Sequence, residues 1–328
     1  MDMKKAIRAV DTLQQRHAWL AVPIAVWKKF GDDQAGNLAA LVAYYSFVAL
    51  FPLLLVLVTV LSIVLKNNPE LQHRLLDSAL GQYPVIGPQL SHVSPLTQTG
   101  LPLVVGLLGT FFGARGVATA IQNALNAVWE VPFGRRPRFP WTWLRSFGLI
   151  VVIGLGLIGT TVLSTAAGRV FPGGAAATVA AVAVSLVLNV GVFWLAFRLG
   201  TAREVSWRQL RLGAVIAGVI WQVLQYVGGY FVSHQLAHAS PIYGTFAVVI
   251  GLLAWLYLQA ELTLYALEIN VVRAHRLWPR SISPPPYTEQ DRQAFQLYAQ
   301  VQERGQGMDI VVEDVGFGGE DDRQKTSG

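Results

Sequence analysis

The sequence predicts an all-α, polytopic membrane protein with six transmembrane helices and an N-terminal interfacial amphipathic helix. Three observations lead there. Of 328 residues, 53% are hydrophobic and only 13% charged, about half the charge of an ordinary soluble domain, and the mean hydropathy is +0.44. The apolar residues fall in uncharged blocks of the roughly 20 residues that a bilayer core requires. The basic residues then alternate between successive connections, which fixes an orientation. So few charges cannot coat a soluble surface. Cysteine is absent, which removes disulfide scaffolds, cysteine nucleophiles, zinc knuckles and iron–sulfur sites.

Residues 1–36 form a cytoplasmic amphipathic segment. Within 3–30, Trp19, Leu20, Val22, Ile24, Val26, Trp27 and Phe30 supply an apolar body flanked by lysines, the pattern of a helix lying in the interface. No small-residue cleavage site follows a short apolar core, so a removable signal is not expected. The transmembrane domain occupies 37–280. Its first span lies among the 32 uncharged residues between Asp33 and Lys66. The connection 66–100 predicts two short surface helices. The second span covers 101–129 and contains Arg115; the third and fourth cover 146–168 and 170–197, the latter opening on the turn Phe171-Pro172-Gly173-Gly174. The fifth is 212–233, and the sixth, 244–267, is interrupted only by Glu261. Residues 281–328 read as a cytoplasmic, largely disordered tail with a short polar helix near 288–304.

Of the 25 Lys and Arg residues, 21 fall in the N-terminal segment, the connections after the second and fourth spans, and the C-terminal segment. Both termini are therefore expected in the cytoplasm. The pI near 9.6 is accounted for by this bias, so membrane lipids rather than nucleic acid are the expected partners.

Several residues stand out within the spans. Pro52 cannot donate to the carbonyl of Val48, which predicts a kink, with Tyr44, Tyr45 and Ser46 a turn or two before it. Gly109 and Gly113 make a small-residue step suited to close helix contact. Helical rise places Arg115 about 21 Å below residue 101 and Glu261 about 25 Å below residue 244. Charges at that depth face protein or water, so Arg115 and Glu261 are expected to pair or to share a polar cavity. Tyr257, Glu261, Tyr265 and Glu268 are spaced four, four and three, which puts them on one helix face. His234 and His238 have metal-compatible spacing but no accompanying acid or cysteine, and read as solvated. No phosphate-binding loop, nucleophile elbow or clustered carboxylates for a two-metal centre occur. No catalytic residue, cofactor or metal is expected, and no enzymatic activity.

The blocks Ala43-Tyr44-Tyr45-Ser46 with Leu50-Phe51-Pro52, Asn123 with Asn126-Ala127-Val128-Trp129-Glu130-Val131-Pro132, and Tyr243-Gly244, Trp255-Leu256-Tyr257 and Glu268-Ile269-Asn270 resemble, in order, the signatures of the YihY / virulence factor BrkB family. The similarity covers roughly residues 30–275. It departs at Ala266, where many members have glycine, and at Glu261, commonly an uncharged position. The resemblance implies a six-helix bacterial inner-membrane protein, one of a family tied to serum resistance and envelope-lipid traffic and formerly labelled ribonuclease BN. The short cytoplasmic arginine-bearing loops lack the metal or acid/base partners that a ribonuclease needs. Two functions stay open: a transporter or flippase of an envelope amphiphile, or a non-catalytic membrane scaffold or envelope-assembly factor. Either is compatible with a homo-oligomer.

Overall fold

The computed structural model describes residues 3–64, 101–170, 175–202, 205–235, 244–284 and 286–301. Nine α-helices and one short 3-10 turn occur among them, with no strand. Helices α1 (Met3–Arg16) and α2 (Ala18–Asp32) precede six long helices: α3 (Ala35–Val64), α4 (Leu101–Val128), α5 (Trp141–Val170), α6 (Ala175–Gly200), α7 (Trp207–Gln235) and α8 (Gly244–His275). The last, α9, is Glu289–Val301. The 66–100 connection, His238 and residues 302–328 lie outside the described residues.

Each apolar block of the sequence is one helix. Three stretches, Thr178–Gly200, Trp207–Gly228 and Val249–His275, are long and apolar enough to cross a membrane, while Ala35–Leu50 and Trp141–Gly156 are shorter apolar helices. Helix α3 runs through Pro52 and packs along α4. A Cβ added at Gly109, Gly113 or Gly116 would meet Pro52, Ala49 or Tyr45 at 3.2, 2.9 and 2.8 Å. The small-residue step is therefore a packing face: at Gly113 hydrogen lets the helix approach the Ala49 backbone, and Gly109 and Gly116 make room for the Pro52 and Tyr45 side chains. Tyr44 and Tyr45 meet edge to face at 5.4 Å and are both exposed.

Helix α7 is tied to α8 through Asn270, which accepts from the Gly213 amide at 2.7 Å and donates to the Leu210 carbonyl at 3.2 Å. A side chain at Gly213 would strike Asn270 and the Ala266 carbonyl. The main core gathers Phe30, Ala35, Leu125, Val128, Trp129, Phe197, Leu210 and Leu267, and so lies where α2, the starts of α3 and α7 and the ends of α4, α6 and α8 converge.

The N-terminal segment forms two helices that break at His17. Helix α2 buries Ala21, Ala25, Val26, Lys29 and Phe30 against α8 and leaves Trp19 and Trp27 exposed. At the other end, residues assigned by sequence to the tail are docked: Ser281, Asp291 and Ala294 are buried. Helix α9 starts on a capping box. The Thr288 hydroxyl accepts from the Asp291 amide at 3.1 Å, and the Asp291 carboxylate accepts from the Thr288 amide at 3.1 Å, which satisfies two otherwise orphaned donors.

Candidate functional site

The densest polar chemistry lies at the convergence of α2, α4 and α8. Lys29, one turn from the end of α2, is fully buried. Its ammonium donates to Asp33 Oδ2 at 2.6 Å and to the Val128 carbonyl at 3.1 Å, and lies 3.1 Å from Glu130 Oε1 and 3.5 Å from Glu268 Oε2. The i, i+4 step from Lys29 to Asp33 puts that pair on one face. Glu130 arrives by an unusual backbone. Its amide bonds the Ala127 carbonyl and that of Val131 bonds the Asn126 carbonyl, a helix ending that places the intervening residue in the left-handed region. Glu130 sits there at φ 54°, where glycine is the ordinary occupant and another side chain is strained. A glutamate in that position puts its carboxylate at Lys29.

One ammonium thus faces three carboxyls. With all of them ionised, neither oxygen of Glu130 nor of Glu268 accepts a hydrogen bond, although the side chains of Asp33 and Glu268 are within hydrogen-bonding reach of each other. Burial works against the Lys29 charge, but Glu268, Asp33 and Glu130 together hold its pKa well above that of an ordinary lysine. Burial pushes the Asp33 carboxyl up, with Lys29 pulling the other way.

A second network joins α1, α2 and the C-terminal segment. Arg280, fully buried, donates to Asp291 Oδ1 at 2.9 Å, pairs with Asp32 Oδ2 at 2.9 Å and donates to the Tyr298 hydroxyl at 3.3 Å. Lys28 adds bonds to Asp291 at 2.9 Å and to the Ser281 carbonyl at 2.8 Å. The Ser281 and Thr288 amides complete Asp291 at 2.9 and 3.1 Å. Burial opposes ionisation of Asp291, yet these bonds overcome it and hold the pKa down at about 2. Asp11 on α1 accepts from Gln14, Gln15 and the Ile282 amide. Tyr298 stands between the networks. Its hydroxyl donates to Asp32 at 3.3 Å and its ring centroid lies 5.6 Å from the Lys29 ammonium.

Of the residues singled out by sequence, Glu268 lies in the first network, and two of its face-mates border it. The Tyr265 ring stacks on Phe30 of α2 at 3.8 Å, and the Tyr257 hydroxyl approaches Gly36 at the start of α3. Glu261 is half-buried on the same face. Arg115 is placed elsewhere: its guanidinium lies over the Trp143 ring of α5 at 4.3 Å, and no ion pair joins it to Glu261 among the described residues. The ring face attracts the guanidinium electrostatically, weakly at a part-exposed site. Sequence reasoning did not single out Lys29, Asp33, Glu130, Arg280 or Asp291 as site residues. The signals it could have used were the Lys29–Asp33 spacing and the presence of Glu130 and Glu268 in separate signature blocks.

The model of the virulence factor BrkB family matches residues 26–289. Inner membrane protein YhjD of Escherichia coli is 25% identical over 288 residues, 80% of this chain and 85% of its own length. UPF0761 membrane protein RSc1559 of Ralstonia nicotianae is 25% identical over 252 residues, 74% of this chain, and Smlt0865 of Stenotrophomonas maltophilia 27% over 258 residues, 71% of it. The chain covers only 56% of the length of these last two. No solved structure matches.

Proposed function

The chain belongs to the virulence factor BrkB family, and from that premise we propose that it moves an envelope amphiphile across the inner membrane without catalysing a reaction. In this reading it spans the bilayer six times, with both termini and the network-forming segments on the cytoplasmic side and α1 and α2 along the interface. The basic residues of the connections support that orientation. The name of the E. coli relative supports the compartment.

The observation that carries transport is the polar face of α8. An apolar helix long enough to span sets Tyr257, Glu261, Tyr265 and Glu268 on one side, and ionisable residues within such a helix are expensive and mark substrate or ion paths in many transporters. The test is movement of a headgroup-labelled fluorescent phospholipid between leaflets of proteoliposomes, followed by quenching from outside. Transport predicts protein-dependent loss of the protected half of the signal, slowed by Glu261→Ala. Protection unchanged by the protein, for phospholipid and for an envelope glycolipid alike, rejects it. The scaffold alternative is supported by a different observation, the pinning of residues 280–301 to α1 and α2, which suits a fixed docking platform.

A further inference from the structure

We propose that Asp33, Glu130 and Glu268 form a proton-binding site, which holds one exchangeable proton between Asp33 and Glu268 with Lys29 as its fixed counter-charge. The site does not depend on what the protein transports, or on whether it transports at all. Geometry leads to it in three steps. The carboxyls converge on a single ammonium within 2.6–3.5 Å, so full ionisation leaves two uncompensated negative charges where side-chain exposure is 0–4%. Uncompensated charge at such burial is costly, and carboxyls respond by taking up a proton. Next, Asp33 and Glu268 are within hydrogen-bonding reach, and two carboxylates repel at that range unless a proton lies between them. Finally, the Lys29 ammonium reaches Glu130 and Glu268 as an ion pair without hydrogen-bond geometry, and a shared proton supplies a hydrogen bond at Glu268.

A metal cation fits worse. The Lys29 ammonium already occupies the centre on which the acids converge, and no group of three or more potential ligands suited to a metal occurs among the described residues. The other titratable and charged groups facing the cluster are few. Tyr298 on α9 faces Lys29 through its ring. Asp32 is committed to Arg280 and Tyr298, and Lys28 to Asp291. On α8, Tyr265 stacks on Phe30 and His275 edges onto Trp129. The upward pull of burial on Asp33 agrees with a retained proton. The ligand comes from bulk water and returns to it, so its uptake and release need no co-reactant.

The experiment is infrared spectroscopy of the full chain in nanodiscs, titrated between pH 5 and 9 in light and heavy water. The expected result is a deuterium-sensitive carbonyl band of a protonated carboxyl that disappears on alkaline titration and is absent from Asp33→Asn and Glu268→Gln. Both variants should fold, since each amide mimics the protonated form, and thermal unfolding checks this. No such band in the wild-type protein at any pH overturns the proposal. So does a band that survives both substitutions, or one displaced at constant pH by sodium or calcium chloride, which would mark a metal site instead.

Discussion

Two ionic networks lie side by side at one end of this bundle, and they are built on opposite terms. In the Arg280 network two cations, Lys28 and Arg280, pair with two acids, Asp32 and Asp291, the third acid, Asp11, is held by amide donors, and both oxygens of Asp291 are saturated with donors. In the Lys29 network one cation meets three acids, and the four oxygens of Glu130 and Glu268 receive no contact of hydrogen-bond geometry. The first has the composition of a fastener, in which removing any member leaves an uncompensated partner. The second carries excess charge that its surroundings do not neutralise, the usual condition of a group that titrates in use. They meet at the end of α2, where its last residue Asp32 and the following Asp33 enter one network each, and Tyr298 stands between them.

Lys29 separates the two networks most sharply. Lys29→Met removes the ammonium on which three buried acids converge, and breaking such a set costs about 3–5 kcal/mol. Thermal unfolding in detergent should therefore show the largest loss at pH 8 and a smaller one at pH 5, where the Asp33–Glu268 pair can take up protons in its place. A loss independent of pH would mean that the Asp33–Glu268 pair does not titrate. Arg280→Met comes next. It orphans Asp291 and Asp32 while Lys28 and the amides still hold Asp291, so about 2–3 kcal/mol is expected, with little change between pH 5 and 8. A pH dependence matching that of Lys29→Met would dissolve the distinction between the networks. The smallest effect is at Arg115, where Arg115→Ala gives up a contact with a part-exposed ring at about 0.5–1 kcal/mol. A double-mutant cycle of Arg115→Ala with Glu261→Ala should be additive; strong coupling would mean that the two charges meet in the bilayer after all.

The helical framework was legible because it is written in contiguous runs. Helix α3 begins two residues after Asp33, α6 ends two residues after Arg198, and the glycines of α4 announced a close face at their own spacing. The partner of that face, Pro52 and Ala49, was not legible, since periodicity names a face and not what covers it. The same limit hid the Lys29 network. Lys29 is 101 residues from Glu130 and 239 from Glu268 in the sequence, and charges flanking apolar runs read as solvated ends, which is how Asp33 was used to bound a span. Nothing in the letters shows that Glu130 takes a left-handed backbone. For Arg115 and Glu261, equal depth was read from helical rise, but rise fixes height and leaves the azimuth free, and Arg115 turns toward Trp143.

The two networks should also respond to pH with opposite signs. Asp291 is held at about 2, below the roughly 3.9 of an unfolded aspartate. Its contribution, on the order of 2 kcal/mol, is present above pH ~4 and lost as pH falls toward 2. Asp33 is held above the ordinary value, so the folded state keeps a proton that the unfolded chain has released. Stability from that source is fullest at low pH and is lost as pH rises through the folded value. The decisive measurement is the unfolding temperature of the detergent-solubilised chain against pH, for wild type, Asp291→Asn and Glu268→Gln. A profile that falls on both sides is predicted, with Asp291→Asn flattening only the acid limb and Glu268→Gln only the alkaline one. An alkaline limb unchanged by Glu268→Gln would contradict the account.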